Sequence, residues 1–193
     1  MAWPPGSPEA TTLTVVPFRD GAPAGDGVAF RGPFTGGEPH AALSVDAQDR
    51  LWAVWTRAGA VHVARSRSHG QHFGAVVSAA LPGAGTAYQV SAAALPGEPE
   101  TVDVIVNLGS ALVEQQLKPG LSVQLSKKTK LVGTKKVVTR WAQALDDGFG
   151  VPTATFRIGG RMIHADAQGK ARVTTGSGKA AAPGYAGASF HVR

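Results

Sequence analysis

The sequence predicts an all-β chain built of antiparallel sheets, and three observations carry that prediction. Glycine and proline are abundant, 25 and 13 in 193 residues, and they separate short Val/Ala/Leu runs, the punctuation of many short strands. Within the runs, apolar and polar residues alternate with the period of two that a half-buried strand requires. Downstream of Leu121 about seven short strands fit into ~70 residues, the spacing of a small β-sandwich. No run approaches the ~20 apolar residues of a membrane helix. The chain has no cysteine, which excludes disulfides, thiolate metal sites and thiol nucleophiles.

Residues 1–27 are rich in Pro, Gly and Ala and read as an irregular segment. It holds one candidate strand at Thr12–Phe18 and a loop at DGAPAGDG (20–27). The opening MAWPPGSPEA lacks the basic and apolar regions of a signal peptide. Regularity begins at His40. HAALSVDAQDRLWAVWT (40–56) reads as two alternating segments joined by a turn at Ala47–Asp49. Leu51, Ala53 and Trp55 fall on one face, and Trp52, Val54 and Thr56 on the other. Two tryptophans pointing opposite ways argue for core rather than for an exposed sugar platform. AVHVARS (60–66) is a third strand with Val61, Val63 and Arg65 sharing a face, and AVVSAAL (75–81) a fourth. Four strands in ~40 residues match the period of one propeller blade. A second unit follows in YQVSAAAL, TVDVIVNL and ALVEQQL (88–117), so that 28–120 reads as about two blade-like sheets.

The charge changes sign near Gly120. Residues 1–120 carry 7 Lys/Arg against 10 Asp/Glu, a balance of −3, and residues 121–193 carry 12 against 3, a balance of +9; together they give the net +6. The break marks a boundary between residues 28–120 and the small β-sandwich at 121–193. DAQGKARV (166–173) echoes DAQDRLWAV (46–54). An Asp that starts the turn, followed by Gly169 or Asp49 in the left-handed region, is one hairpin solution used twice.

SRSHGQHF (66–73) places Ser66, Ser68, Gly70 and Phe73 in the pattern Ser-x-Asp-x-Gly-x-x-Trp/Phe, with Ser68 where the pattern has Asp. This resembles the Asp-box, or BNR, hairpin of sialidase-like β-propellers. The longer stretch SVDAQDRLWAVWTRAGAVHVARSRSHGQHFG is similar to one whole blade of that family. The resemblance implies a structural turn: the Ser and Asp side chains tie up turn amides, Gly takes positive φ, and the aromatic ring packs into the blade. GVPTATFRIGG, HADAQGKARVTT and APGYAGASFHV resemble the Ig-like or transthyretin-like (carboxypeptidase-regulatory-like) domains appended to secreted bacterial proteins. A propeller needs about six blades and the chain has room for roughly two. The resemblance therefore implies the last blades and trailing sandwich of a longer extracellular protein.

The family's chemistry rests on an arginine triad, a Tyr–Glu pair and an Asp, with Phe-Arg-Ile-Pro marking the first arginine. FRIG (156–159) has Gly159 in place of Pro, and FRGP (30–33) has a different third residue. Arg31 and Arg157 therefore read as strand arginines, and no catalytic residue is carried over. Tyr88 lacks a Glu partner, and Tyr185 takes the "GY" packing position. His69 and His72, with His62 on the preceding strand, fall short of the three or four ligands zinc requires, so no metal or other cofactor is expected. The basic run KKTKLVGTKK (127–136) offers Lys127, Lys128, Lys130, Lys135 and Lys136. One reading is an anionic-ligand patch for glycan or cell wall; the other is a solvated edge strand whose lysines block edge-to-edge pairing. No aromatic residue is interleaved before Trp141, so nucleic acid is not expected. The expectation is a non-catalytic, β-rich part of an extracellular protein acting in adhesion or polysaccharide binding. The alternatives are the tail of a sialidase-like glycoside hydrolase with its active site upstream, and a purely structural spacer.

Overall fold

The computed structural model describes residues 12–23, 25–31, 40–82, 87–95 and 100–193. It is all-β: among the described residues there is no helix, and every paired strand lies antiparallel in one of several small sheets.

At the N-terminal end, β1 (Thr12–Val15) pairs with β4 (Val28–Arg31). Between them β2 (Phe18–Arg19) and β3 (Ala22–Pro23) form a small hairpin. The sequence suggested only a loop here. Asp20 and Gly21 both take positive φ, 52° and 80°, the mirror-image two-residue turn that matches the twist of paired strands.

The strands β5 (Ala41–Val45), β6 (Leu51–Arg57), β7 (Ala60–Ser66) and β8 (Val77–Ala80) form one meander in chain order. The tryptophan-bearing strand is buried on both faces. Trp52 and Val54 pack with Val61 and Val63, while Ala53 and Trp55 pack with Phe30 and Ala64. The next sheet holds β9 (Gln89–Leu95), β10 (Thr101–Asn107) and β11 (Leu112–Leu117) in the order β11-β10-β9. Alternation on β10 sends Val102, Val104 and Val106 into the same core as Trp52 and Val61, so the two sheets share one apolar interior.

The rest of the chain makes two four-stranded sheets. One joins β12 (Ser122–Val132), β13 (Lys135–Asp146) and β14 (Phe149–Gly150). The other draws on β15 (Thr155–Ile158) and β16 (Arg161–His164). β17 (Lys170–Val173) returns to pair with β13. With β18 (Gly176–Ala181) and β19 (Ala188–Val192) the second sheet runs β16-β15-β18-β19. Leu121, Ala142, Ala144, Phe156, Ile158 and Val192 are among the side chains that fill the core between them.

Two features differ from about seven short strands. There are eight, and the first two run 11 and 12 residues. A turn at Gly133 and Thr134 closes one unbroken ladder from Ser122↔Leu145 to Val132↔Lys135. Beyond the core this hairpin continues as an arm whose residues 124–137 are all exposed.

Gly120 sits where the charge changes sign. It bridges Ala75 on one side and Ala186 on the other. A Cβ there would lie 2.5 Å from the Ala75 carbonyl oxygen, so the close approach of three backbone segments requires glycine.

Candidate functional site

The Ser66 turn is wired by its side chains. Ser66 is fully buried, and its Oγ accepts the amides of Ser68 at 3.2 Å and Gly70 at 2.8 Å. Ser68 Oγ accepts the His72 amide at 3.0 Å. Gly70 has φ +83°, and Phe73 meets Phe30 edge-on at 5.2 Å. A carboxylate reaches Ser68 from a distant turn. Asp147 Oδ2 accepts the Arg67 amide at 2.7 Å, the Ser68 amide at 3.1 Å and the Ser68 hydroxyl at 2.9 Å. Asp147 occupies the tight turn between β13 and β14, with φ +50°, where the following Gly148 (φ +80°) completes the reversal.

Beside this turn, an ionic network joins the three larger parts of the fold. Arg65 lies on the face of β7 that carries Val61 and Val63, at the end of the strand. It is 1% exposed and held between the Trp52 and Tyr185 rings, 5.3 and 5.4 Å away. Its Nη2 donates to Asp146 Oδ2 at 2.5 Å and to the Tyr185 hydroxyl at 3.1 Å, and its Nη1 to Glu100 at 2.7 Å. Burial alone would lower the Arg65 pKa; Asp146, through its charge and hydrogen bond, together with Tyr185 and Glu100, raises it above its usual value. Burial, then the Asp146 charge, pushes the Tyr185 phenol up. Glu100 also pairs with Arg50, which donates through Nε to Asp46 at 2.8 Å. A buried pair of this kind contributes little net stability but is costly to break, because the remaining charge stays buried.

Above the network opens a cleft of about 620 Å³ lined by Arg50, Arg65, Arg67, Glu100, Thr153 and Tyr185, among others. Each guanidinium there already has a partner: carboxylates for Arg50 and Arg65, and the Phe149 ring at 4.8 Å for Arg67. Arginines committed in this way hold the parts of the fold together.

The two Asp-led turns have one geometry. Asp46 Oδ1 accepts the amides of Gln48 and Arg50, both at 3.0 Å, and Asp166 Oδ1 those of Gln168 and Lys170, both at 2.9 Å. Asp49 and Gly169 supply the positive φ, 60° and 73°. Asp46 also accepts the Trp52 indole N–H at 3.0 Å. Burial works against its ionisation, but the Arg50 amide, the Trp52 indole and the Arg50 guanidinium together hold the carboxyl below its usual range.

The histidines are dispersed. His62 hydrogen-bonds Ser78 at 2.6 Å and stacks on Trp55 at 5.6 Å. His69 is exposed and lies 3.4 Å from Asp49, and His72 is exposed at the turn. Tyr88 is 62% exposed. Arg157 is an exposed residue of β15, and the Arg31 side chain lies outside what the structure describes.

The lysines of the basic run divide between the two faces of the arm. Cross-strand partners share a face, and the register pairs Lys128 with Thr139, Lys130 with Val137 and Lys135 with Val132. Farther along this face, Trp141 lies between Ser126 and Arg172, and Gln143 between Gln124 and Lys170. The Lys170 ammonium sits 5.2 Å from the centre of the Trp141 ring, a distance that suits cation–π attraction. Lys127 and Lys136 fall on the opposite face with Arg140. By sequence all five lysines group as one patch, whereas the register leaves three of them on this face; Lys170 and Arg172 were missed, because they reach this face only through the pairing of β17 with β13.

No known protein family, no curated protein and no solved structure matches this chain.

Proposed function

We propose that this chain is a non-catalytic part of an extracellular bacterial protein, working in adhesion or polysaccharide binding, and that the β12–β13 arm meets an anionic glycan. In this reading the sheets β5–β8 and β9–β11 are blades of a sialidase-like propeller, and residues 121–193 are an Ig-like sandwich. The observation that carries it is the outer face of the arm. Lys128, Lys130, Lys135, Lys170 and Arg172 form one strip around Trp141. β12 and β17 contain no Asp or Glu, and β13 holds only Asp146 at its far end. From Gln143 to Lys135 the strip runs eight residues, ~26 Å at strand rise, and none of the residues paired along it is a carboxylate.

The test is affinity for polyanionic polysaccharides, heparin and polygalacturonate, with dextran as the neutral control. Binding should weaken as salt rises. Lys128→Gln with Lys130→Gln and Lys135→Gln should cost roughly tenfold to a hundredfold in affinity with an unchanged melting temperature. Undiminished binding by the triple variant, or no polyanion binding at millimolar glycan, overturns the reading.

A second reading has its own support. Among the described residues β12 pairs only with β13, its other edge taking no strand, so its lysines also suit a guard against edge-to-edge association. Aggregation of the triple variant with glycan binding unaffected favours it. The Asp-box wiring of the Ser66 turn supports a third, the tail of a sialidase-like glycoside hydrolase. Four further blades with a Phe-Arg-Ile-Pro motif, encoded upstream in the same frame, would favour that reading.

A further inference from the structure

A second cationic face lies on the sheet β16-β15-β18-β19, on the side away from the core. Phe156, Ile158, Ala180 and Val192 point inward; Arg157, Ser177, Lys179, Ser189 and His191 are exposed on the other face. The register sets Arg157 beside Lys179, Lys179 beside Ser189, and Ser177 beside His191. These five line a groove of about 580 Å³ together with Gly178 and Phe190. Past Gly120 the only carboxylate side chains are Asp146, Asp147 and Asp166. The first two are buried at the joint with Arg65 and Ser68, and the third accepts the amides of its own turn; among the described residues none that lines the groove is a carboxylate.

Its donors come from three strands. Ser177 Oγ and His191 Nδ1 are 3.0 Å apart, and either sense of that bond leaves one outward donor. If the hydroxyl donates, the single ring proton sits on Nε2; if Nδ1 donates, the hydroxyl proton is free. Arg157 adds a planar fork suited to two oxygens of one group, Lys179 adds an ammonium, and Ser189 a second hydroxyl. That is more donors than the two oxygens of a carboxylate take up, and it suits the three terminal oxygens of a monoester.

We propose that this groove binds a tetrahedral oxyanion, the sulfate or phosphate group of a monoester or the free ion. The site lies on the sheet opposite the arm and does not depend on the arm's ligand. The experiment is an amide-shift NMR titration of the full chain with inorganic sulfate, inorganic phosphate, a sulfated monosaccharide and a sugar phosphate, with acetate as the control. Saturable shifts should cluster on Arg157, Ser177, Lys179, Ser189 and His191. Acetate should bind at least tenfold more weakly. Arg157→Gln with Lys179→Gln should lose at least tenfold in affinity while keeping the parent melting temperature and the parent affinity for polygalacturonate, which carries carboxylates and no sulfate or phosphate. Tighter binding of the esters than of the ions assigns a substituted sugar as the source; equal binding assigns the free ion. Non-saturating shifts, shifts spread equally over the arm lysines, or a double variant that binds as the parent does would overturn the assignment.

Discussion

Ser68→Asp restores the residue the Asp-box pattern asks for, and in this protein it should be destabilising. The position already faces a carboxylate: Asp147 Oδ2 lies 2.9 Å from Ser68 Oγ. A second carboxylate there would sit about 4 Å away, where two like charges repel by about 4 kcal/mol at an effective dielectric near 20. The hydrogen bond from the Ser68 hydroxyl to a charged acceptor, worth about 1.5–3 kcal/mol, is lost as well. Position 68 is half-buried, so rotation toward solvent relieves part of this, and the net cost should be about 2–4 kcal/mol. Asp147→Ala alone removes the acceptor of three donors and should cost a similar amount. In the double variant the carboxylate introduced at position 68 can take the turn amides itself, and that protein should be at least about 2 kcal/mol more stable than the sum of the single effects. Urea unfolding followed by tryptophan fluorescence measures this, since Trp52 and Trp55 are buried. The slope of free energy against urea should be unchanged among the variants. A Ser68→Asp protein as stable as the parent, or single effects that simply add, would refute the reasoning.

Three other expectations concern the joint, the titration of His62 and Asp46, and the arm. Asp146→Ala leaves Arg65 buried with one carboxylate fewer and should cost about 3–5 kcal/mol; an unfolding-midpoint change equivalent to less than ~1 kcal/mol would count against a buried pair. Stability should fall in two steps as the pH is lowered. Burial lowers the His62 pKa, so the unfolded chain takes up that proton first, and stability present above pH ~6.5 is lost as the pH falls through the folded value. Asp46, held below its usual range, contributes stability present above pH ~4 and lost below it. Urea midpoints across this range should lose the upper step in His62→Gln and the lower one in Asp46→Asn. Trypsin should cut first within the arm, at Lys127–Lys136, and not at Arg65; mass spectrometry of the first fragments decides this.

Legibility followed distance along the chain. Alternation on β6 announced that Trp52 and Trp55 face opposite ways, and both are buried. The Asp46 and Asp166 turns were legible because a short carboxylate reaches amides two and four residues ahead whatever surrounds it. The long arm was hidden because its two halves each read as an ordinary run; only the turn at Gly133 makes them one ladder. The joint was hidden for a stronger reason. Asp147 lies 80 residues from Arg67, and Asp146 lies 81 from Arg65, and no periodicity links such positions.

By itself the sequence determined the all-β class, the strand faces, the turn stereochemistry and the excess of positive charge past Gly120. All of these follow from backbone geometry and residue type over a few neighbours. Only the tertiary structure decided that Asp147 bonds the Ser68 turn, that Arg65 is a buried tie, and that Lys170 and Arg172 join the lysines of the arm. Those depend on which sheets pack together, and the interior that brings them together is assembled from residues far apart in the chain.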